Sequence, residues 1–440
     1  MAIDDAAEFD KRRMRREELK YKRSQERKKT IIGLVIACVV LLAAAVLIFV
    51  LTRQKPVQEP ESTETLASGE TVPATTEAVA ETEPAVQETK PPRKQDTVIH
   101  IAAAGDLNVN EMTVDAGGAA YDYTAVFRDV LPVLSAADLT VLNFEGNLIG
   151  APYGTESCSA PLKMMEALAD VGVDLIQMAN SKSILGGTIG LGTTLDNIRA
   201  AGMEPVGANA SNSEFRKSGG YYICELQGIK VAVVAFTKGM DGMALPTGSE
   251  NCVNLLYTDY STTYQKVDTE GITKILKNVN QEKPDITIAL VHWGSEYNDN
   301  RNDTQETIVK LLQNNGVDAV IGTHPHYVQE IQYDENKGTL VAYSLGDFFS
   351  NAQKAGTEYS IVLNLEITKD ADTQQTKITG YSYTPLFTVA EDGEPLKVVR
   401  LREALQAYEE GYVERVSKEI YEDMQYALTR VEARVNPVEE

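Results

Sequence analysis

The sequence predicts a mixed α/β fold of two helix-covered sheets, held outside a membrane by a single spanning helix. Three observations predict it. The stretch Ile31–Leu51 is apolar and free of charge. Beyond it, short apolar runs alternate with amphipathic stretches, the pattern of βαβ units and a largely parallel sheet. After Ser350 the runs Ile361–Thr368, Thr376–Thr384 and Lys397–Leu401 follow one another without helical stretches between them. That change of pattern suits two mixed sheets better than one doubly wound sheet.

Residues 1–30 form a polar tail rich in Lys and Arg, from Lys11 to Lys29. Residues 31–51 cover roughly 30 Å as a helix at about 1.5 Å per residue, the thickness of a bilayer core. The run is longer than the apolar region of a signal peptide, and no small-residue cleavage site follows it. Because basic flanks stay inside, the tail is expected in the cytoplasm and everything after Arg53 outside, in a single-pass protein of the cell membrane. Residues 52–96 are a linker rich in Pro, Thr and Glu. Such a composition buries too little apolar surface to offset ordering and predicts a disordered stalk; a ligand segment recognised by another protein is the alternative.

Residues 97–400 have globular composition. The expected strands are Val98–Ala104, Leu139–Phe144, Leu175–Ala179, Lys230–Phe236, Ile286–Val291, Ala319–Ile321 and Thr339–Ser344, followed by the three runs above. The expected helices are Thr124–Ala136, Lys163–Val171, Thr193–Ala201, Gly271–Asn280 and Gln305–Asn315. Residues 401–440 show apolar positions near a 3.6 period from Leu405 to Val431, an amphipathic helix packed on its own domain or on a second protein. No repeat is evident.

The chain has 64 acidic and 41 basic side chains, a formal charge of −23 and a pI near 4.7. That balance excludes nucleic acid and disfavours an anionic lipid surface as partners of the outer domain. A polyanionic ligand would need a bound cation or a local basic pocket to reverse the field. Cys158, Cys224 and Cys252 are an odd set at irregular spacing, so no disulfide scaffold is expected, with one bridge at most.

Only four histidines occur, and three close buried strands: His292 after Ile286–Val291, and His324 and His326 after Ala319–Ile321. Ligands in open α/β sheets gather at the carboxyl ends of strands. Polar residues close the other strands too: Asp106, then Asn143 with Glu145, then Asn180-Ser181-Lys182, then Glu296 beyond His292, and finally Asp347 with Asn351. A dinuclear hydrolase needs a carboxylate near each metal, a bridging oxygen and imidazoles to complete the shell. Asp106, Glu145, His292, His324 and His326 supply that inventory, for one or two divalent ions such as Mn, Fe or Zn. Each has a plainer alternative. Asp106 could cap the following segment, and Glu145 or Asp347 could close a turn. Trp293, the only tryptophan, either packs in the core or offers a platform beside His292. Asn143, Trp293, Glu296 and Asp347 are the candidates for substrate binding.

This order of motifs, from Gly105-Asp106 through Asn143-Phe144-Glu145, Asn180-Ser181-Lys182, His292-Trp293-Gly294 and His324-Pro325-His326 to Gly346-Asp347, resembles the CapA-type capsule synthesis proteins. The resemblance spans roughly Thr97 to Thr388. It implies a fold like the calcineurin-type metallophosphoesterases and a part in making poly-γ-glutamate or a related surface polymer, as in Gram-positive cells. It also implies that Asn180, Lys182 and His292 stand at catalytic positions. One motif departs: the family has Asn-Asn-His followed by Asp, where this chain has Asn180-Ser181-Lys182 and Leu185. In the related phosphoesterases the second residue holds a metal and the histidine assists the leaving group. Ser181 is a poorer ligand, and Lys182 cannot act as an imidazole near neutral pH. Lys182 is therefore expected to replace one metal and to weaken catalysis; the alternative is that it points to solvent and its position is unused.

Three functions follow as expectations. The first is an anchored surface-polymer protein with a degenerate phosphoesterase-like site. It would bind the polyanionic polymer or its precursor beside other membrane proteins of polymer synthesis. The second is an active metal-dependent hydrolase or transferase on a phosphorylated or polyglutamate substrate. The third is a signalling ectodomain.

Overall fold

The computed structural model describes residues 95–391, 394–411 and 416–436. The expected tail, membrane span and linker lie outside them. Among the described residues no helix is long and apolar enough to cross a membrane.

The described chain folds into two mixed sheets. The first runs β13 (Lys397–Arg400), β12 (Thr376–Val389), β11 (Tyr359–Lys369), β1 (Thr97–Asn108), β2 (Leu139–Glu145), β3 (Leu175–Gln177) and β4 (Glu204–Val206). The second runs β5 (Tyr221–Leu226), β6 (Ile229–Thr237), β7 (Ile286–His292), β8 (Ala319–Thr323), β10 (Thr339–Ala342) and β9 (Ile331–Asp334). The pairs β1–β2–β3–β4 and β6–β7–β8 are parallel, so their carboxyl ends gather at one pole of each sheet. The later strands β11, β12 and β13 add antiparallel, as runs without crossover helices must.

Alternation along the strands builds the core. Val231 and Val233 of β6 join Ile288 of β7, Ile321 of β8 and Ile101 of β1 in one apolar cluster between the sheets. Val234, Phe236, Val291 and Val320 face the other way. They meet Ile272, Leu276, Ile308 and Leu312 on the helices Thr269–Gln281 and Asp303–Gln313. Strands β2, β7 and β8 are buried along their whole length, which is why they read as unbroken apolar runs.

A repeat that hydropathy does not reveal lies at the opposite pole. Asp138, Asp174, Asp285 and Asp318 each stand just before a parallel strand, and each carboxylate accepts the N–H of a residue near the start of the preceding one. The donors are His100, Thr140, Lys230 and Thr287, at 2.7–2.9 Å. Each of these aspartates also donates its own N–H to the carbonyl of the same residue. Four two-point clamps thus fix the register of both parallel units and leave the carboxyl ends free for function.

Two expectations need correction. The stretch expected as one helix over Thr124–Ala136 breaks into Thr124–Phe127, a 3₁₀ turn at Arg128–Val130 and Leu131–Leu134; Pro132 has no N–H to give the Arg128 carbonyl and its ring crowds that turn. The terminal segment forms two helices, Leu401–Glu409 and Lys418–Val435, instead of one. Gly411 between them has φ of 77°, which ends a helix, and the Ser417 side chain caps the next by accepting from Ile420 N–H. Their apolar face packs on β11 and β12 through Met424, Ala427 and Val431. Cys158, Cys224 and Cys252 are all free.

Candidate metal centre

Strand register delivers the site. In β1 the pairing with β2 slips between Ala104 and Asp106, so Gly105 is the extra residue of a bulge, a device that re-aims the next side chain. Only glycine fits there, because a Cβ would collide with the Gly346 carbonyl. Gly322 of β8 is pressed in the same way against the Tyr343 carbonyl. The segment Tyr343–Gly346 therefore runs between the two strand poles, with Asp106 N–H donating to Gly346 O at 3.0 Å and Leu345 N–H to Gly322 O at 3.2 Å.

Five expected ligands converge here. Donor atoms of Glu145, His292 and His324 lie within 4.8 Å of one another, and so do those of Asp106, Glu145 and His326. Glu145 belongs to both groups. A third group, Glu296, His324 and His326, opens toward solvent. The Asp106 carboxylate is oriented by Asn143 Nδ2 at 2.5 Å and by the His324 N–H at 2.9 Å. Asn143 is in turn held by Asn180 Nδ2 at 3.1 Å, which also donates to the Phe144 carbonyl. His292 Nδ1 lies 3.2 Å from Thr323 Oγ1. With the proton on that nitrogen, Nε2 turns its lone pair toward Glu145 Oε1 at 3.6 Å and Ser181 Oγ at 3.0 Å. His326 Nδ1 meets Asp347 Oδ1 at 2.8 Å. His324 and His326 both hold positive φ, 92° and 60°, which for non-glycine residues marks a conformation imposed by a site.

These residues fit a divalent cation. Glu145 Oε1 and His324 Nδ1 are buried yet have no hydrogen-bond partner, a costly state for protein groups unless something else binds them. Electrostatics agrees. Burial, with Asp106 nearby, pushes the Glu145 carboxyl well above its usual range, and burial raises Asp106 to about 6. Burial and the neighbouring cations hold His292 and His324 well below the ordinary imidazole range. For His326 burial is outweighed by Asp347, Glu145 and Asp106, which push it up to about 10. A divalent cation among these atoms would favour charged carboxylates and neutral imidazoles together. The cluster could therefore hold a metal ion.

Several residues take other parts than expected. Trp293 is fully buried, stacks on Tyr343 and donates Nε1–H to Tyr343 O at 2.9 Å; it packs the core and offers no platform. Asn143 and Asp347 are buried and bond Asp106 and His326 respectively. Asn180 is buried and spends its amide on Asn143 and Phe144. Glu296 is exposed beside the cluster, free for a ligand. The Lys182 ammonium is not among the metal ligands. It pairs with Asp241 Oδ2 at 2.6 Å, and its charge still reaches Glu145. Sequence reading missed Lys238, Asp241, Tyr264 and Tyr297. Tyr297 stacks on His326 with Lys354 above its far face. Lys238 follows the end of β6, so the strand-end rule that found the histidines could have found it too.

A family model described as bacterial capsule synthesis protein PGA_cap matches residues 100–352. The chain belongs to that family. The PGA biosynthesis protein CapA of Bacillus subtilis is 24% identical over 284 residues, 62% of this chain and 69% of that protein. The capsule biosynthesis protein CapA of Bacillus anthracis is 26% identical over 235 residues, 52% of this chain and 54% of that protein. Among solved structures, the calcineurin-like phosphoesterase YfkN from Bacillus subtilis aligns with a TM-score of 0.42 and 16% identity, covering 76% of this chain and all of that chain. Likeness at that level carries no argument about chemistry. In the PGA_cap-matched region, the carboxyl-end residues from Asp106 to Asp347 include all five candidate ligands.

Proposed function

We propose that this PGA_cap-family chain is a membrane-anchored, extracytoplasmic protein of poly-γ-glutamate-type surface-polymer synthesis, whose metallophosphoesterase-like centre binds the polymer or its precursor and turns over phosphate esters weakly. The carrying observation is Glu145, common to two ligand groups and buried with an unpartnered oxygen. Asp106, Glu145, His292, His324 and His326 would hold one or two ions of Mn, Fe or Zn type. A bound ion supplies Lewis-acid charge and lowers the pKa of a coordinated water. The chain's own residues do the rest. Asn143 and Asn180 hold the Asp106 carboxylate in place, the Thr323 hydroxyl orients the His292 ring, and Asp347 orients His326. Weak turnover is expected because no imidazole stands at position 182, and Lys182 is committed to Asp241. The anchor is residues 31–51, with the tail in the cytoplasm, and other membrane proteins of polymer synthesis are the expected neighbours.

Deleting the gene in its host and measuring surface polymer tests the biological part. Loss of polymer, restored by the wild-type chain and not by Glu145→Ala, is expected; unchanged polymer contradicts it. The second reading, an active hydrolase or transferase, is favoured by the completeness of the ligand set. It predicts chelator-sensitive turnover of phosphate esters at rates of about 1 s⁻¹ or more.

A further inference from the structure

A cavity of about 260 Å³ opens beside the ligand cluster, lined by Ser181, Lys238, Asp241, Tyr264, Glu296 and His324 among others. Two lysines reach this region. Lys182 is held in an ion pair by Asp241. Lys238 is not. Its Nζ donates to the Gly294 carbonyl at 2.7 Å and lies 4.8 Å from the Tyr264 ring centre, contacts that position a cation, while the Glu296 and Asp241 carboxylates act on it from beyond ion-pair distance. Among the described residues it has no carboxylate within ion-pair distance. Its placement is built in: Lys238 N–H donates to His292 O at 2.7 Å, and the Thr237 hydroxyl bonds both N–H and carbonyl of Gly239. Half-burying an unpaired lysine costs desolvation, and burial draws its pKa down. In a chain of charge −23, an acidic substrate needs one such local cation.

We propose that Lys238 is a substrate-anchoring residue that receives an oxyanion, a carboxylate or a phosphate, of a ligand whose reacting end faces His324 and Glu145. This rests on the reading of the same cluster as the substrate-binding centre. Tyr264 supplies the apolar wall behind the ammonium, and Glu296 on the open side belongs to the group that also includes His324 and His326.

Calorimetry on the full chain in detergent tests it with two probes, inorganic phosphate and γ-glutamylglutamate, each with EDTA and again with Mn²⁺. Lys238→Gln keeps a donor for Gly294 O and removes the charge; Lys238→Arg keeps the charge. The expected result is binding of at least one probe, weakened about tenfold or more in Lys238→Gln, the size of one charge-assisted hydrogen bond, and retained within about threefold in Lys238→Arg. Equal affinity in Lys238→Gln and parent, or no binding of either probe, overturns the proposal. Lys238-dependent binding of phosphate alone keeps the assignment and removes support for the polyglutamate reading. Lys238-dependent binding of the dipeptide supports both. Should Lys238→Gln fail to melt cooperatively, the arginine variant decides: affinity lost with a normal melt overturns the charge argument.

Discussion

The Lys182 ammonium lies 2.6 Å from Asp241 Oδ2 and pairs with it, while its charge still reaches Glu145. Lys182 is thus held by an ion pair at the side of the cluster. Asp241→Asn should release that charge toward Glu145 and weaken Mn²⁺ binding several-fold, about 1 kcal/mol for a partly exposed pair. The double variant with Lys182→Ala should recover the parent affinity. A double variant no better than Asp241→Asn, in calorimetry, would mean that Lys182 does not act through charge.

Restoring the family's motif should restore chemistry. Ser181→Asn with Lys182→His supplies a ligand amide and a proton donor where Ser181 now meets His292. Hydrolysis of bis-p-nitrophenyl phosphate with Mn²⁺ should rise by about 10²-fold or more, the usual contribution of a positioned general acid. No rise would place the limitation elsewhere in the site.

Asn143 is buried between Asp106 and Asn180. Its Nδ2 holds Asp106 at 2.5 Å and its Oδ1 accepts from Asn180. Asn143→Ala should lower metal affinity about 10- to 100-fold, as loss of a ligand's orienting partner does, and cost about 1–3 kcal/mol of stability by stranding buried polar groups. Calorimetry and urea unfolding read the two effects separately.

The register clamps give a pH signature far from the centre. Burial raises Asp318 to about 6 from 3.8. Its counterpart Asp285 has Lys369 Nζ at 2.9 Å, and no ion pair of Asp318 is found among the described residues. A raised pKa means the neutral form is favoured in the fold. The stability it lends is fully present below about pH 4 and lost as pH rises through about 6. Asp318→Asn keeps an acceptor for the Thr287 N–H and should stabilise the chain at pH 7–8 by up to about 3 kcal/mol, with little gain at pH 4. Equal gains at both pH values would refute the assignment.

Much of this was legible in the sequence, for identifiable reasons. Strands buried on both faces, such as β2, β7 and β8, carry unbroken apolar runs, so their ends could be found and the histidines placed. Short or edge strands have no such signal: β4 is Glu-Pro-Val, and β9 exposes Gln332. The aspartate clamps were invisible because hydropathy ignores single carboxylates at strand starts. Trp293 adjoins His292 and Asp347 bonds His326, but adjacency in sequence does not tell which way a side chain turns. Lys238 and Asp241 lie on a loop whose path depends on contacts with Gly294 and Lys182 that only the folded chain brings together.

The central claim is that Asp106, Glu145, His292, His324 and His326 form a metal centre with Glu145 shared between two ligand groups. Metal analysis of the full chain, incubated with Mn²⁺ and Zn²⁺ and then freed of loose ions, tests it most directly, with Glu145→Ala alongside. The account predicts one or two ions per chain in the parent and fewer in Glu145→Ala, with both proteins melting cooperatively. Metal at background in the parent, or an unchanged count in Glu145→Ala, would contradict it.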